Sequence, residues 1–481
     1  MNDCNYTRIR RQLLIRLVQE YLAGTLAKNI DSIPVEMRPR KDEAMRCCIY
    51  KDRAVLKYRL MALLGLGVED EIDESKTLAS YVSDAEKRES LDENVLSVVD
   101  VACHGCVESQ YLVTNACRGC FARPCMFNCP KQAIKVSKGQ AKIDHAKCID
   151  CGRCTQVCPY HAIVRVPIPC QEACPVDAIY KGNDGKQRID FDKCISCGKC
   201  MVNCPFGAIM ERSQILDVLK SIKRGRKVAA LVAPSIIGQF PGKLEQIAEA
   251  LQKAGFAMME EVACGAEETT EHECKEFFER MSKGGKLMTS SCCPAYVEAV
   301  RRHVPELLPM VSDTPSPMGF SGRAVKKLNS DMVTVFIGPC VAKRKEALKD
   351  PNIDFVLTFE ELGSIFAAMG IDVASLPGIE LKREAKWYAR GFATSCGVTD
   401  AILHEVAADS DNDAMKKISV NHKFINGLDR KSMKLLKLYA QGKLPGNFLE
   451  VMACEGGCVG GPCVLGDVKL ATKAVKDLAE E

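Results

Sequence analysis

Hydrophobic and polar positions follow different patterns in successive stretches of the chain. Near the N-terminus, Leu13, Leu14, Leu17, Val18 and Leu22 recur at helical spacing, which predicts an amphipathic helix. Beyond about residue 213, short apolar runs alternate with helical patterns, and several runs are followed at once by glycine, proline, serine or cysteine. This alternation is typical of an α/β architecture.

Five apolar runs of the C-terminal stretch are predicted to be strands. Three of these runs end close to cysteines, at positions 292–293, 340 and 454. Ligand sites in open α/β sheets lie beyond the carboxyl ends of the strands, so we expect these cysteines to belong to such a site. The predicted strands span residues 227–232, 286–289, 332–337, 355–358 and 448–452.

Cysteine is the outlier of the composition, with 28 residues in a chain of 481. Disulfide-rich secreted scaffolds are short, and the N-terminal segment is an amphipathic helix pattern without an apolar leader. We therefore expect a cytoplasmic protein whose cysteines bind metal or iron–sulfur clusters. The 66 basic and 62 acidic residues argue against a dedicated nucleic-acid binder. No apolar run approaches the roughly 18 residues of a membrane span.

The cysteine-rich stretch repeats the pattern CPxxAI four times, starting at Cys129, Cys158, Cys174 and Cys204. Two of the units carry the complete run CxxCxxCxxxCP. This is the bacterial ferredoxin spacing, in which three cysteines hold one 4Fe–4S cluster and the fourth reaches across to another. Isolated CxxC pairs also bind zinc, but zinc sites rarely carry the trailing CP.

Cross-ligation divides the sixteen cysteines of this stretch into four sets of four. The unit from Cys117 has the irregular spacing CxxCx4CxxxCP, which resembles a motif of four-cluster ferredoxin-like subunits. The fourth set combines cysteines far apart in the chain, so three clusters plus spare thiols is the alternative. The first set is Cys117, Cys120, Cys125 and Cys158; the second is Cys148, Cys151, Cys154 and Cys129; the third is Cys194, Cys197, Cys200 and Cys174; the fourth is Cys103, Cys106, Cys170 and Cys204.

Three cysteine motifs follow predicted strands of the C-terminal stretch. They are TSSCCP at 289–294, GPCVAK at 338–343 and MACEGGCVGGP at 452–462. Together with the iron–sulfur stretch, they make the sequence similar to the FeFe hydrogenases, over about residues 227–462. The layout is most similar to the monomeric branch sometimes called group B.

This resemblance implies an architecture of three parts. Residues 1–98 would form a helical N-terminal region, and residues 99–212 an α+β ferredoxin-like domain. Residues 213–481 would form an α/β catalytic domain with two lobes of parallel sheet around an active-site cluster.

The resemblance also implies the cofactors. Cys293, Cys340, Cys454 and Cys458 would hold a 4Fe–4S cube, with Cys458 bridging to a two-iron unit that carries CO, CN and an azadithiolate. Three to four accessory 4Fe–4S clusters would complete the set. The family uses a serine and a lysine to bind cyanide ligands and a methionine to pack beside the bridging site. The matching positions are Ser235, Lys343 and Met452.

A proton path of six residues is implied on the same basis. Cys292 precedes a cube ligand, so its thiol can face the other way, and a thiol with a modestly shifted pKa exchanges protons near neutral pH. Glu273, Glu276 and Arg280 share one face of a predicted helix. Spacing alone favours a solvated helix face with an ion pair, whereas the resemblance implies a path. Its members are Cys292, Glu276, Ser312, Glu273, Arg280 and Glu346.

The function implied is reversible interconversion of H2 with protons and electrons by an iron-only oxidoreductase. Ferredoxin or a similar one-electron carrier is the expected electron partner, and maturation proteins would insert the two-iron unit. Neither nucleic acid nor a membrane is an expected partner. The alternatives are a sensory hydrogenase homologue, an iron–sulfur assembly factor or a pure electron-transfer module.

Overall fold

The N-terminal part of the protein is helical. The computed structural model describes residues 4–69, 71, 73–88, 92–107, 110–408 and 419–480. Leu13, Leu14, Leu17 and Val18 are fully buried, which confirms the predicted helix, whereas Leu22 is exposed at the end of that helix. The helices of this part are α1 (Asn5–Leu22), α2 (Leu26–Asn29), α3 (Ile33–Met37), α4 (Ile49–Leu63) and α5 (Leu78–Lys87).

The cysteine-rich part consists of short strands and short helices. The strands are β1 (Leu96–Val98), β2 (Gln110–Val113), β3 (Ile134–Ser137), β4 (Gln140–Ile143), β5 (Ile163–Val166), β6 (Ile179–Lys181), β7 (Gln187–Ile189) and β8 (Ile209–Glu211). The helices are α6 (Pro124–Phe127), α7 (Arg153–Gln156), α8 (Pro169–Glu172) and α9 (Lys199–Asn203).

Strand pairing shows that this part contains one α+β unit twice. In the first copy, β2 pairs with β5 around the hairpin β3–β4, and in the second, β1 pairs with β8 around the hairpin β6–β7. All four pairs are antiparallel. Each short helix carries one of the predicted cluster ligands, namely Cys125, Cys154, Cys170 and Cys200. The repeat in the sequence is therefore a repeat of structure.

Two parallel sheets form the C-terminal part. Its strands are β9 (Val228–Val232), β10 (Met258–Glu261), β11 (Met288–Thr289), β12 (Val333–Gly338), β13 (Phe355–Thr358), β14 (His422–Asn426) and β15 (Phe448–Met452). One sheet has the order β10-β9-β12-β13 and the other the order β11-β15-β14. All the pairs in both sheets are parallel. Strands β9, β12 and β15 are buried along their length, as expected for parallel sheets covered on both faces.

The five predicted strands are all present, which confirms the α/β prediction. The structure adds β10 and β14, which were not predicted. Both are edge strands. Four of the five residues of β14 are exposed, and β10 has only one buried residue, so neither has the apolar run that marks a buried strand.

Helices pack around both sheets. They are α10 (Ile215–Lys223), α11 (Leu244–Lys253), α12 (Val262–Ser282), α13 (Pro294–His303), α14 (Pro317–Leu328), α15 (Ala342–Ala347), α16 (Phe359–Met369), α17 (Trp387–Arg390), α18 (Gly397–Ala408), α19 (Arg430–Ala440) and α20 (Val468–Glu480). Within the described ranges, no helix combines the length and apolar character that crossing a membrane requires.

A buried ion pair joins the cysteine-rich part to the C-terminal part. Arg344 on α15 and Glu361 on α16 are both fully buried, and their side chains lie 2.6 Å apart. Arg344 also donates to the carbonyl of Arg212 at 2.8 Å, just after β8. Glu361 accepts the backbone N–H of Thr358 at 2.6 Å and so caps α16. The pair thus fixes three segments to one another.

Removing one partner of this pair should destabilise the protein strongly. We expect Glu361→Ala to lower the free energy of unfolding by about 3–5 kcal/mol, because the buried charge of Arg344 would lose its carboxylate partner. Denaturant unfolding followed by circular dichroism measures this change. The same substitution at Glu279, whose ion pair with Lys283 is exposed, is the control and should change stability very little. Equal effects of the two substitutions would contradict the prediction.

Candidate active site

The five cysteines of the three C-terminal motifs line one pocket, and four of them are the predicted cube ligands. Cys293 lies between β11 and α13, Cys340 follows β12, and Cys454 and Cys458 follow β15. The two sheets therefore bring their carboxyl ends to the same place. Burial raises the pKa of Cys454 well above its ordinary value, and the charges of Cys340, Cys293 and Cys458 act in the same direction. Four cysteines that line one pocket are a donor set that could hold a 4Fe–4S cube.

The rest of the pocket is mostly apolar, with one cation. Ala233, Phe336, Met318 and Met452 are among the apolar residues of its wall. Lys343 is buried, and its Nζ lies 2.9 Å from Ser316 Oγ and 2.7 Å from Glu346 Oε2. Although burial favours the neutral amine, the charge of Glu346 raises the pKa of Lys343, so the ammonium persists.

Ser235 is the polar group of this pocket that lacks a partner. It follows β9, is fully buried, and its Oγ has no hydrogen-bond partner among the described residues. A buried hydroxyl without a partner costs free energy unless a ligand satisfies it. An apolar pocket with an unsatisfied hydroxyl and a protonated lysine fits a cofactor that carries hydrogen-bond-accepting ligands, such as cyanide.

Cys292 lies beside Glu273 at one wall of the pocket. Burial raises the pKa of Cys292 well above its ordinary value, and the charges of Glu273 and Cys293 add to this effect. This thiol faces other acidic groups, so it holds its proton more tightly than an ordinary cysteine. Glu273 is fully buried on α12 and accepts the backbone N–H of Ser291 at 3.2 Å.

The path continues from Glu273 toward the surface through Ser312. Ser312 Oγ donates a hydrogen bond to Glu276 Oε2 at 2.6 Å. The Ser312 hydroxyl also acts to lower the pKa of Glu273, against the larger effect of burial. Glu276 lies 2.5 Å from Arg280, whose side chain is partly exposed. Burial opposes ionisation of Glu276, but hydrogen bonds from Asp313 and Ser312 and the charge of Arg280 lower its pKa. The structure thus places five of the six predicted path residues in one series.

Glu346 is the predicted path residue that lies elsewhere. It hydrogen-bonds to Ser316 and pairs with Lys343, on α15. The structure does not bring it to Glu276 or Arg280. Its contacts are those of a residue that orients the pocket lysine.

The accessory cysteines meet in the predicted combinations. The first set lines a single small cavity. In the second set, the charge of Cys129 raises the pKa of Cys148, although burial is the larger cause. In the third set, burial and the charges of its other members raise the pKa of Cys200 well above its ordinary value. The fourth set also comes together, since Cys204, Cys106 and Cys103 add to the burial that raises the pKa of Cys170 to about 12.

The CPxxAI units place a backbone donor on each CP thiol. In every unit the amide of the alanine four residues later donates to the cysteine Sγ, at 3.2–3.4 Å. Hydrogen bonds of this kind tune the reduction potential of a cluster. The pairs are Cys129 with Ala133, Cys158 with Ala162, Cys174 with Ala178, and Cys204 with Ala208.

The third set adjoins the pocket, and the fourth adjoins the third. Cys197 lines the pocket itself and lies close enough to Cys454 to influence its pKa. Cys170 of the fourth set likewise lies close enough to Cys200 of the third set to raise its pKa. The third and fourth sets therefore form a series that begins at the pocket.

Glu450 is a site residue that the sequence did not indicate. It lies on β15, is buried, and its charge acts on Cys292 and Cys458. Its carboxylate accepts the backbone N–H groups of Cys396 at 2.7 Å and Thr399 at 2.8 Å. A single acidic residue within an apolar strand was the available signal, because such a group is rarely buried without a role.

Glu273 should keep its proton up to neutral pH. Burial raises its pKa to about 7, whereas a glutamate in an unfolded chain titrates near about 4.3. The bound proton therefore stabilises the folded state fully below about pH 4.3, and this contribution is lost as the pH rises through about 7.

Infrared difference spectra across this range measure the titration. A protonated carboxyl band should disappear with a midpoint of about 7 and should be missing in Glu273→Gln. Glu279→Gln, an exposed position on the same helix, is the control and should retain the band. A band that vanishes near about pH 4.3 would show that Glu273 is an ordinary carboxyl.

Comparison with known proteins identifies the family. Residues 226–462 match the family model described as iron only hydrogenase large subunit, C-terminal domain. Residues 116–168 and 164–215 match the LdpA Fe-S cluster-binding domain.

Individual proteins match as well. A probable cytosolic Fe-S cluster assembly factor of Drosophila grimshawi is 27% identical over 239 residues, covering 39% of this chain and 50% of that protein. A solved structure of the FeFe hydrogenase HydA(deltaEFG) is 25% identical, with a TM-score of 0.47, covering 56% of this chain and 88% of that one. The periplasmic [Fe] hydrogenase large subunit of Nitratidesulfovibrio vulgaris is 33% identical over 374 residues, covering 66% of this chain and 85% of that protein. A match of that identity over most of a hydrogenase subunit shows that this chain belongs to the iron-only hydrogenase family.

Proposed function

We propose that the protein is an FeFe hydrogenase that reversibly interconverts H2 with protons and electrons. The observation that carries this proposal is the shared pocket. Four cysteines, a fifth thiol on a carboxylate path, an unsatisfied serine and a protonated lysine all border it.

The pocket residues would hold the cofactor in defined roles. Cys293, Cys340, Cys454 and Cys458 would bind a 4Fe–4S cube, and Cys458 would bridge to the two-iron unit. When bound, that unit supplies a low-valent metal with an open position, which no side chain provides. Ser235 and Lys343 would donate hydrogen bonds to cyanide ligands, and Met452 would pack against the bridging site. The two sheets would then be two lobes around this cluster.

Protons would reach the pocket through the five aligned residues. Cys292, whose thiol keeps its proton, donates it at the pocket and recovers one from Glu273. Glu273 titrates near neutral pH, with a pKa of about 7, so it can both give and accept protons. Ser312 relays protons between Glu276 and Glu273. The lowered pKa of Glu276 lets it release a proton readily, and its neighbour Arg280 lies at the partly exposed end of the path.

Electrons would travel along the four accessory sets. The third set would exchange electrons with the cube, since Cys197 and Cys454 are neighbours. The fourth set follows, and the first and second sets, in the other α+β copy, would form the distal end. We place the ferredoxin-like domain at residues 99–212, between a helical region at 1–98 and the catalytic domain at 213–481.

The distal copy would dock an acidic electron carrier. Residues 114–165, which we call the basic lobe, contain nine basic and two acidic residues, all exposed. Phe121, next to Cys120, is fully exposed. An apolar centre within a charged rim is the usual anatomy of a protein interface, and opposite charge guides partners to it. The basic residues are Arg118, Arg123, Lys131, Lys135, Lys138, Lys142, Lys147, Arg153 and Arg165, and the acidic ones are Asp144 and Asp150.

An iron–sulfur assembly factor is the second candidate, because a protein of that description matches 39% of the chain. The series from Cys292 to Arg280 favours the enzyme, since cluster assembly has no need of a proton path that ends in the pocket. Hydrogen turnover by the matured protein distinguishes the two functions.

Two neighbouring substitutions test the hydrogenase proposal. Cys293→Ala should lose the cofactor, because a cube ligand is missing. Cys292→Ala should keep the infrared bands of iron-bound CO and CN but lose at least about 99% of turnover, since one lost proton-transfer group costs about 10²–10⁴-fold in rate. Hydrogen evolution from a reduced low-potential dye provides the rate. A matured wild type that shows these bands but neither evolves nor consumes H2 would falsify the enzyme function. Near-normal turnover in Cys292→Ala would refute the path alone.

Charge reversal on the basic lobe tests the docking site. Arg118→Glu combined with Arg123→Glu, which flank Phe121, should raise the KM for a reduced ferredoxin by about tenfold, because complementary charge guides association. The rate with the small dye should not change. Lys469→Glu combined with Lys473→Glu makes the same charge change on an exposed face of α20 and serves as the control. Equal effects of the two double variants would place docking elsewhere.

A further inference from the structure

The N-terminal helical region, α1 to α5, lies outside both matching family models. It nevertheless packs against the fourth cysteine set. Cys103 belongs to the same apolar core as Leu13 and Leu56, and Cys204 packs against that core. Cys106 and Cys170, the other two members of the set, lie with a separate core of the cysteine-rich part. The fourth set is therefore located where the helical region meets the ferredoxin-like part.

Two arginines of this region hold the backbone beside these thiols. Arg46 donates to the carbonyls of Ala102, at 3.3 Å, and Phe206, at 3.1 Å. Arg59, on α4, donates to the carbonyls of Phe206, at 3.3 Å, and Gly207, at 3.2 Å. Ala102 precedes Cys103, and Phe206 follows Cys204 by two residues. Both arginines thus bind ligand-bearing loops of the fourth set.

Tyr6 of α1 closes over the same loop. Gly207 has φ +56°, and a Cβ at this position would lie 2.0 Å from the Tyr6 ring. The glycine therefore allows both the left-handed turn and the close approach of the ring. The Arg59 guanidinium lies over the Tyr6 ring, 4.9 Å from the ring centre.

Positive charge predominates around the contact between Tyr6 and Gly207. A cavity of about 550 Å³ lies between the helical region and the loops of Cys103 and Phe206. Among the described residues that line it, the one carboxylate is Asp52, which pairs with Arg38 at 3.3 Å and lies 4.0 Å from Arg46. The cationic residues of the lining are Arg38, Arg46, Lys51, Arg59 and Lys186.

Arg59 carries the buried part of this charge. It is only 3% exposed, and none of its hydrogen bonds within the described structure goes to a carboxylate. Burial and the charges of Arg46 and Arg10 lower its pKa to about 10, so it remains protonated at neutral pH. A buried cation is screened little by solvent and acts strongly on a nearby change of charge.

We infer that the N-terminal helical region completes the site of the fourth cluster. Arg46 and Arg59 hold its ligand loops, and the charge of Arg59 favours the reduced cluster over the oxidised one. One electron enters from the neighbouring third cluster, no bond forms or breaks, and the added negative charge is stabilised by the cation. This inference rests on the fourth ligand set of the proposed function.

Redox titration of the full-length chain, reconstituted with iron and sulfide but without the two-iron unit, tests this inference. Wild-type protein should contain about twenty iron atoms, from five 4Fe–4S clusters. Electron paramagnetic resonance follows the reduction of each cluster. Arg59→Met, which keeps the length and removes the charge, should shift one oxidised-to-reduced ratio at least tenfold toward the oxidised form, which is about 59 mV for one electron. Arg59→Lys should keep the wild-type potential.

Arg53→Met is the matched control, on the same helix but bonded to the carbonyl of Arg38 at 2.8 Å. It should leave every potential unchanged. Selective loss of about four iron atoms from Arg59→Met, but not from Arg53→Met, would also support the inference, as a failure to hold the ligand loops. If Arg59→Met does not fold, Arg46→Met should lower the same potential by a smaller amount, because Arg46 is partly exposed and lies 4.0 Å from Asp52.

Two results would overturn the inference. The first is full iron content with unchanged potentials in Arg59→Met or, where that variant does not fold, in Arg46→Met. The second is a wild type with about sixteen iron atoms, which would remove the fourth cluster. Neither result bears on hydrogen turnover, because the titration does not use it.

Discussion

The whole arrangement depends on a constraint of parallel sheets, whose strands all end on the same side. β9 and β12 of one sheet and β11 and β15 of the other end at a common pocket, so segments far apart in the chain deliver cysteines to one point. This arrangement also places a serine and a lysine beside the four thiols. The buried pair of Arg344 and Glu361 then fixes this pocket to the cysteine-rich part.

The proposed proton and electron routes leave the pocket through different residues. Carboxylates and hydroxyls on α12 and the segment before α14 lead to the surface at Arg280. Thiols lead instead from Cys454 to Cys197 and on to Cys170. On this proposal, charge would govern both routes, through buried acids along the proton route and through cations near the fourth set. Such a separation would let each route be tuned without altering the other.

The sequence was informative wherever a residue type and its spacing impose the chemistry. Cysteine spacing and cross-ligation predicted the first three combinations that the structure brings together, whereas the fourth was assigned from the remaining cysteines with three clusters plus spare thiols as the alternative. Apolar runs predicted β9, β11, β12, β13 and β15. Edge strands such as β14 were not predicted, because their mostly exposed residues leave no apolar pattern. Glu450 and the loop contacts of Arg59 escaped for another reason. Their roles come from tertiary neighbours more than 50 positions away in the chain, and no local pattern records these neighbours.

The hydrogen bond from each CPxxAI alanine N–H to a thiol limits which residues can replace that alanine. The contact uses the backbone N–H, not the methyl group, and all four alanines are buried. Evolution can therefore replace them with glycine or serine at little expense, whereas large side chains would meet the core. Proline is forbidden outright, because it has no N–H to donate. The small residue in this motif thus records a backbone requirement that relatives should share even where the alanine itself has been lost.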